Sequence, residues 1–254
     1  MKIASSTVKT VDRLVEVLGC FSADQPAWTL TDLSVRLGWP KSTLHRFLVS
    51  LEMHGILRRD PTDKLWRLGY RLVVWGQLAA DSNALSHVAR PVMEELGRLT
   101  GEAVILTVYQ EGQVVCIDKV ETKHLVRLAL TVGTRRPPYA GASSKILMAY
   151  LSEEEIAAII ERGLSPLCKN TITDPNVLRA ELARIRQEGY AISYEETDPD
   201  SWGVATPICD QHGHIVAAIG IAGPTFRFTD ELSKRYVALC HQAAQQICAR
   251  LGSR

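Results

Sequence analysis

Long hydrophobic runs are missing from this sequence of 254 residues. No apolar stretch reaches the roughly 18 residues that a membrane-spanning helix requires, so we expect no membrane partner. The N-terminal segment also lacks the uninterrupted apolar stretch of a signal peptide, because Asp12, Arg13 and Glu16 break it. Both absences favour a protein that stays in the cytoplasm.

The signatures of common enzyme sites are absent as well, since no GxSxG, HExxH, P-loop or GxGxxG occurs. The six cysteines form no CxxC pair and lie in or beside apolar segments, which indicates buried, reduced thiols. Cys209, His212 and His214 have a spacing that matches no standard zinc site, and Gly213 favours a hairpin turn there. One group of carboxylates is interpreted as a solvated strand end and turn rather than a catalytic pair: Glu195, Glu196, Asp198 and Asp200. We therefore predict a protein that is not an enzyme and has no metal or cofactor.

The charge of the chain is unevenly distributed, although its net value is only +1. Residues 1–70 carry ten basic and seven acidic side chains, whereas the remainder is slightly acidic. Much of the basic charge falls within one short stretch, which indicates a surface for nucleic acid: Lys41, Arg46, Arg58, Arg59, Lys64 and Arg67. The length suits two domains, so this surface is expected to belong to the first.

Apolar spacing of three to four predicts a helix over residues 7–21 and two shorter helices after it. Thr29 is a candidate N-cap for the second helix, and Gly38 is expected to end it at a tight turn. Pro40 is placed at the first position of the third helix, which runs to Gly55. Two short helices joined by a glycine-containing turn are typical of a helix-turn-helix.

A strand-turn-strand pattern follows directly, with its turn at residues 60–63. A hairpin in this place predicts a wing, and residues 70–80 then read as a connecting helix. The rest of the chain alternates between helical and strand-like segments. Helices are predicted at 84–100, 145–151, 152–163, 176–188 and 229–251, and strands at 103–110, 113–121, 124–130, 190–197, 203–210 and 214–223, with a Gly/Pro-rich loop at 131–144. This order predicts an α+β domain with a six-stranded antiparallel sheet.

Three separated motifs resemble the IclR family of bacterial transcriptional regulators. They are WPKSTLHRFLVSLEMHGILRRDPTDKLWRLGYRL, VGTRRPPYAGASSKILMAYL and GYAISYEETDPDSWGVATPICDQHGHIVAAIGIAGP, and together the resemblance covers essentially the whole chain. The resemblance implies a winged helix-turn-helix domain at 1–69, a linker helix at 70–82 and a GAF-like effector domain at 83–254. It also implies homodimers or homotetramers.

A recognition helix presents its leading residues to base edges in the major groove, which here means Lys41, Ser42, Thr43, His45 and Arg46. On the wing, Arg58, Arg59 and Lys64 are expected to hold backbone phosphates. The alternative is a merely solvated polar face. Trp66 is predicted to pack the wing onto the helices rather than to stack on a base. A dimer of such modules predicts a pseudo-palindromic operator in double-stranded DNA.

The loop before the helix near Lys145 is the candidate effector site, because its small residues allow close approach and its N–H groups favour an anion. The alternative is an ordinary loop. Matching to relatives that sense small oxoacids, which carry Asp, Cys, Ser and Ser at four polar positions, assigns those positions to Ser193, Gly203, Gly220 and Ala222. The same matching assigns the apolar wall to Leu125 and Leu128 and the loop to Arg136, Ala142 and Ser143. The small loop residues Ala140 and Gly141 are expected to belong to the site as well, because they let a ligand approach the backbone.

The loss of polarity at the four matched positions predicts a larger, less polar organic acid as effector, with aromatic acids among the candidates. Arg136 is expected either to assist the acid group or to face solvent. Together these features predict a DNA-binding transcription regulator controlled by a small organic acid. The alternative is an enzyme or a small-molecule binding protein whose N-terminal helices serve only protein contact.

Overall fold

The chain separates into two compact units, Met1–Ser82 and Asn83–Arg254. The computed structural model describes residues 8–22, 24–81 and 84–252. Each unit has a hydrophobic core of its own, and the second unit has two. In the parts of the chain that are described, no helix is both long enough and apolar enough to cross a lipid bilayer.

The N-terminal unit is a helix-turn-helix with a small antiparallel sheet. Its elements are α1 (Lys9–Gly19), β1 (Ala27–Trp28), α2 (Leu30–Leu37), α3 (Lys41–Met53), β2 (Leu57–Arg59), β3 (Trp66–Leu68) and α4 (Tyr70–Asp81). The strand order is β1-β3-β2, so the predicted hairpin of β2 and β3 gains a third strand that the sequence did not predict.

Local signals set the ends of α2 and α3. The Thr29 hydroxyl accepts a hydrogen bond from the Asp32 N–H at 3.0 Å and caps α2. Gly38 ends α2 in the left-handed conformation with φ of 68°, which costs a glycine little. Pro40 lies one position earlier than predicted, just before the first residue of α3. The Pro40 carbonyl accepts a hydrogen bond from the Leu44 N–H, so Pro40 is the N-cap residue of α3.

One apolar cluster joins the three helices α1, α2 and α3 to the wing. Its buried members come from α1, α2, α3 and the wing: Val17, Leu33, Leu44, Leu48, Leu51, Leu57 and Trp66. Trp66 is 1% exposed, so it packs the wing onto the helices, as predicted, and its ring is not available for stacking on a base.

The second unit is a six-stranded antiparallel sheet with helices on both faces. Its elements are α5 (Ala84–Thr100), β4 (Ala103–Gln110), β5 (Gln113–Val120), β6 (Arg135–Arg136), α6 (Ala142–Ala149), α7 (Glu153–Glu161), α8 (Pro175–Glu188), β7 (Ala191–Tyr194), β8 (Ser201–Cys209), β9 (Ile215–Pro224) and α9 (Asp230–Gly252). The strand order is β6-β5-β4-β9-β8-β7. The predicted fold class is thereby confirmed.

Strand alternation places successive side chains in different cores. Val204 and Ile219 belong to the core with α5 and α9, whereas their neighbours Ala205 and Ala218 belong to the core with α6, α7 and α8. The sheet therefore carries α5 and α9 on one face and the other three helices on the opposite face. Because Ala205 and Ala218 are small, α6 lies close to the sheet.

The strand predicted at 124–130 is wrong, and the third strand of this half is instead β6, within the predicted loop. The alternation of 124–130 has another origin: Leu128 and Leu130 face a cavity, while Leu125 is 100% exposed. Side chains satisfy carbonyl groups that a strand would have paired. Lys119 donates to the Leu130 carbonyl, and Arg227 donates to the Val126 carbonyl.

Candidate functional site

The leading turn of α3 is exposed on one side and anchored on the other. Leu44 and Leu48 are buried in the N-terminal core. The predicted recognition residues all lie on the exposed face: Lys41, Ser42, Thr43, His45 and Arg46. The helix is therefore held by its apolar side and presents its polar side to a partner.

The start of α3 attracts negative charge. No acidic residue lies in its first turn, and no side chain caps it at Pro40. The first N–H groups of a helix carry partial positive charge, and Lys41 adds a full one. Such a terminus is suited to a phosphate group.

The basic side chains of the wing differ in how far they are engaged. Arg67 pairs with Asp63 at 2.6 Å and also contacts Asp60, and its hydrogen bond to Asp63 lowers the pKa of that carboxyl to about 2. Arg59 lies over the Trp66 ring and donates to the Lys64 carbonyl. Arg67 is thus neutralised within the wing, which agrees with its absence from the predicted phosphate contacts.

The other two predicted wing residues keep their charge available. Arg58 lies over the Tyr70 ring, 5.5 Å from its centroid, without an acidic partner among the described residues. Lys64 is exposed at the hairpin turn, and its ammonium has no ion-pair partner in the described part of the chain. These positions favour contacts with a polyanion.

A cavity lies in the second unit where α6 meets the sheet. Its unoccupied space, counted together with the open mouth, is about 650 Å³. Nine predicted effector residues line it: Leu128, Arg136, Ala140, Gly141, Ala142, Ser143, Ser193, Gly203 and Ala222. The structure therefore brings together side chains from β6, α6, β7, β8 and β9.

Two predicted effector residues lie outside this cavity. Leu125 is fully exposed to solvent, so it forms no wall. Gly220 does not line the cavity, and a Cβ atom built there would lie 2.8 Å from the Ser143 hydroxyl and 2.9 Å from the Val204 carbonyl. Its lack of a side chain serves the close approach of α6 to β9. Gly220 thus adds no room for a ligand, contrary to the expectation from its sequence match.

Most of the cavity wall is apolar, and one group of its polar atoms lies at the start of α6. The helix begins at Ala142, three residues earlier than predicted, after Gly141 with φ of 90°. No group of the described residues accepts hydrogen bonds from the N–H groups of Ala142, Ser143 and Ser144. The hydroxyls of Ser143, Ser144 and Ser193 also lack partners within the described chain. These donors suit an anionic group of a ligand.

Arg136 forms an ion pair at the cavity. It lines the cavity, yet one guanidinium nitrogen donates to both Asp198 oxygens, at 2.8 and 3.0 Å. Asp198 also lines the cavity, from the loop between β7 and β8. The pair is only partly exposed, so the arginine is neither free nor simply solvated.

A buried ion-pair network underlies the start of α6. Lys145 is 1% exposed, and its ammonium donates to Glu196 at 2.6 Å, to Glu181 at 3.0 Å and to the Ile192 carbonyl at 3.1 Å. Glu196 also accepts from the Gly141 N–H at 2.9 Å, so the network holds the first turn of α6 in place.

The environment of each carboxylate in this network sets its pKa. Burial raises the pKa of Glu196, and the Lys145 ammonium opposes that rise. For Glu181, burial acts in the same direction but is outweighed by Arg184 and Lys145, which lower its pKa to about 2. Glu196 is 6% exposed, so the interpretation of this carboxylate as part of a solvated strand end is wrong.

Several lining residues escaped the sequence analysis. Trp202 of β8 is the largest, and its ring stacks on Phe228 at 4.0 Å and on Tyr236 at 5.5 Å in the core with α5 and α9. Thr197 and Ser201 line the cavity beside Asp198. A lysine within the apolar run of α6 was the available signal for the network, because a charge at such a position needs a buried partner.

A winged helix-turn-helix unit joined to a unit with a cavity between helix and sheet is typical of the class of ligand-responsive transcription regulators. Comparison with protein families refines this class. Residues 77–249 match the model of the bacterial transcriptional regulator IclR C-terminal domain, and residues 10–61 match the IclR helix-turn-helix domain. The chain belongs to the IclR family of bacterial transcriptional regulators.

Individual relatives agree along the full length. The HTH-type transcriptional regulator KipR of Bacillus subtilis is 36% identical over 245 residues, which is 96% of this chain and 97% of that protein. An IclR regulator from Alicyclobacillus acidocaldarius has a TM-score of 0.86 at 27% identity, with 97% of this chain and 100% of that one covered. An IclR homologue from Microbacterium hydrocarbonoxydans, solved in complex with 4-hydroxybenzoate, has a TM-score of 0.83 at 30% identity, covering 95% and 98%.

Proposed function

We propose that this chain is a sequence-specific DNA-binding regulator whose operator binding is controlled by an organic acid larger and less polar than a small oxoacid. The observation that carries the DNA-binding part is the exposed leading turn of α3 on a buried apolar base. In this role the protein performs no catalysis and uses no cofactor.

The leading turn supplies both kinds of contact that operator recognition needs. Ser42 and Thr43 donate to a phosphate or a base edge near the positive end of the helix. Arg46 reaches a guanine, where a bidentate contact contributes about 1–3 kcal/mol of discrimination. Lys64 and Arg58 bind the neighbouring backbone from the wing. One such unit reads a short half-site, so a homo-oligomer with two units binds a pseudo-palindromic operator.

The cavity favours an acid with a substantial apolar part. The donors at the start of α6 take the carboxylate, while Val114, Leu128 and Leu130 are among the residues that line the space for the rest of the ligand. Ser193, Gly203 and Ala222 replace the more polar residues of the relatives used in the sequence match. The 4-hydroxybenzoate complex of the Microbacterium homologue supports an aromatic acid of this kind.

Control of DNA binding follows if the effector prefers one of two arrangements of the regulator. A ligand shifts such an equilibrium only by the difference between its affinities for the two arrangements. The same coupling requires that operator DNA change the affinity for the effector by an equal factor.

The DNA-binding part is tested with the Arg46→Ala variant and DNA from upstream of the chain's own gene. We expect its affinity to fall by about 10- to 100-fold, because one base contact is lost. Arg98→Ala removes the same charge from an exposed position on α5 and serves as the control. Equal operator affinity for wild type and Arg46→Ala in a mobility-shift titration would contradict the role of α3.

The effector part is tested by thermal shift with benzoate, 4-hydroxybenzoate, pyruvate and glyoxylate. We expect the aromatic acids to raise the melting temperature in a concentration-dependent way, because a ligand that binds only the folded state stabilises it. Stabilisation by pyruvate and glyoxylate alone would disprove the larger, less polar effector.

A further inference from the structure

The described residues that line the cavity include one cation and one carboxylate, Arg136 and Asp198. These two side chains pair with each other, so the lining has no net formal charge. Lys145 lies beneath the start of α6 and is engaged with Glu181 and Glu196. No unpaired cation therefore faces the cavity from the described lining.

The loop that carries Asp198 is fixed by several hydrogen bonds. The Ser201 hydroxyl donates to the Asp198 carbonyl at 2.6 Å, and the Asp200 N–H donates to Glu195 at 3.0 Å. On the other side of the pair, Arg136 is fixed through its strand, where it pairs with Val114 in β5. The ion pair is thus organised before any ligand arrives.

This arrangement provides for one acid group and no more. The N–H groups and hydroxyls at the start of α6 satisfy a first carboxylate without a cation. A second carboxylate would face apolar or neutral groups without a cation, or would have to displace Asp198 from Arg136. Desolvating a charge without a partner is costly, and like charges near Asp198 repel.

We propose that Asp198 is a specificity-determining residue that restricts the effector to monocarboxylic acids by keeping Arg136 engaged. The inference rests on the proposed binding of an organic acid in this cavity and adds a rule for which acids enter. Removing the negative charge at position 198 frees Arg136 and supplies the missing partner for a second carboxylate.

Three ligands test separately the effect of a second negative charge and the effect of ligand size on binding. Benzoate carries one carboxylate, terephthalate carries a second one opposite to it, and 4-carbamoylbenzoate replaces that second group by a neutral amide of nearly the same size. We expect wild type to bind benzoate and 4-carbamoylbenzoate with similar affinity in isothermal titration calorimetry. Terephthalate should bind at least about tenfold more weakly, the scale of one unpaired charge in a partly exposed site.

Two asparagine variants test the residue itself. Asp198→Asn keeps the shape of the side chain and should abolish the discrimination against terephthalate. Asp200→Asn removes a carboxylate from the same loop but outside the cavity lining. Its backbone φ of 53° suits asparagine, so this control should fold normally and keep the wild-type discrimination.

The affinities of the three acids for wild type and variants decide between these possibilities. The role of Asp198 is overturned if wild type binds terephthalate as tightly as 4-carbamoylbenzoate, if it rejects both (since size would then discriminate), or if Asp198→Asn retains the wild-type ratio. If none of the three acids binds wild type, the proposed aromatic-acid effector fails, and the rule for Asp198 fails with it.

Discussion

Replacing Lys145 by methionine tests whether the buried network organises the effector cavity. The change keeps the length of the side chain and removes the ammonium that joins Glu196 and Glu181. Glu196 would remain buried, and its carboxylate oxygens would keep only the Gly141 N–H among the donors described for them. Arg184 still balances Glu181, so the uncompensated charge falls mainly on Glu196.

The expected loss is large because neither partner is screened by water. The side chains of Lys145 and Glu196 are 2% and 7% exposed, so the low values typical of surface ion pairs do not apply. Removing one partner of a buried pair costs about 3–5 kcal/mol in the free energy of unfolding. That is a large part of the total stability of about 5–15 kcal/mol that a domain has.

The loss should depend on pH in a defined direction. Burial already raises the pKa of Glu196, and without Lys145 that pKa rises further above its ordinary value of 4.5. The folded variant then binds a proton more tightly than its unfolded chain does. Its free energy of unfolding therefore increases as the pH falls from above the folded-state pKa towards 4.5, and the penalty relative to wild type shrinks.

Urea unfolding followed by far-ultraviolet circular dichroism measures these quantities. The double variant Lys145→Met/Glu196→Gln should recover more than half of the loss, because the glutamine is uncharged and can still accept from Gly141. Lys169→Met is the control: this lysine pairs with Glu195 but is 65% exposed, and its replacement should leave the unfolding midpoint unchanged. Equal stability of Lys145→Met and wild type at neutral pH, or no recovery in the double variant, would refute the reasoning.

Two further predictions address the cavity and the wing. Ala142→Trp fills the cavity from a lining position, so aromatic acids should no longer raise the melting temperature, while operator affinity without effector should be kept. If the acids still raised the melting temperature, the start of α6 would not belong to the effector site. Lys64→Asn removes an unpaired charge at a φ of 57° that asparagine tolerates, and the slope of log K against log salt concentration should fall by about 0.9. An unaltered slope would show that Lys64 contacts no phosphate.

The N-terminal unit could be predicted well because its signals are local. Thr29 and Gly38 mark the ends of α2 within a few residues of the turn they create. The exposed and buried faces of α3 follow from one helical period, so Arg46 and Leu44 could be assigned to opposite sides. The pairing of β1 with β3 was missed because it joins two residues to a strand nearly forty positions away.

The cavity was predicted less completely because distant segments build it. The two-residue strand β6 is defined by its pairing with β5, and no periodicity marks so short an element. The partners of Lys145 come from α8 and from the loop after β7, so its burial depends on contacts far apart in sequence. At Gly220 the sequence match predicted that the missing side chain makes room for a ligand. In the structure it makes room for the Ser143 hydroxyl and the Val204 carbonyl instead.

The stacked rings of Trp202, Phe228 and Tyr236 support β8, the strand that carries Gly203 in the cavity lining, from the other face of the sheet. Close-packed interiors deform little and pass strain onward, so a shift of β8 would be passed to the whole aromatic column. Tyr236 belongs to α9, which runs through the core on the opposite face of the sheet. A ligand that displaced β8 would therefore also load α9, the longest helix described in the unit.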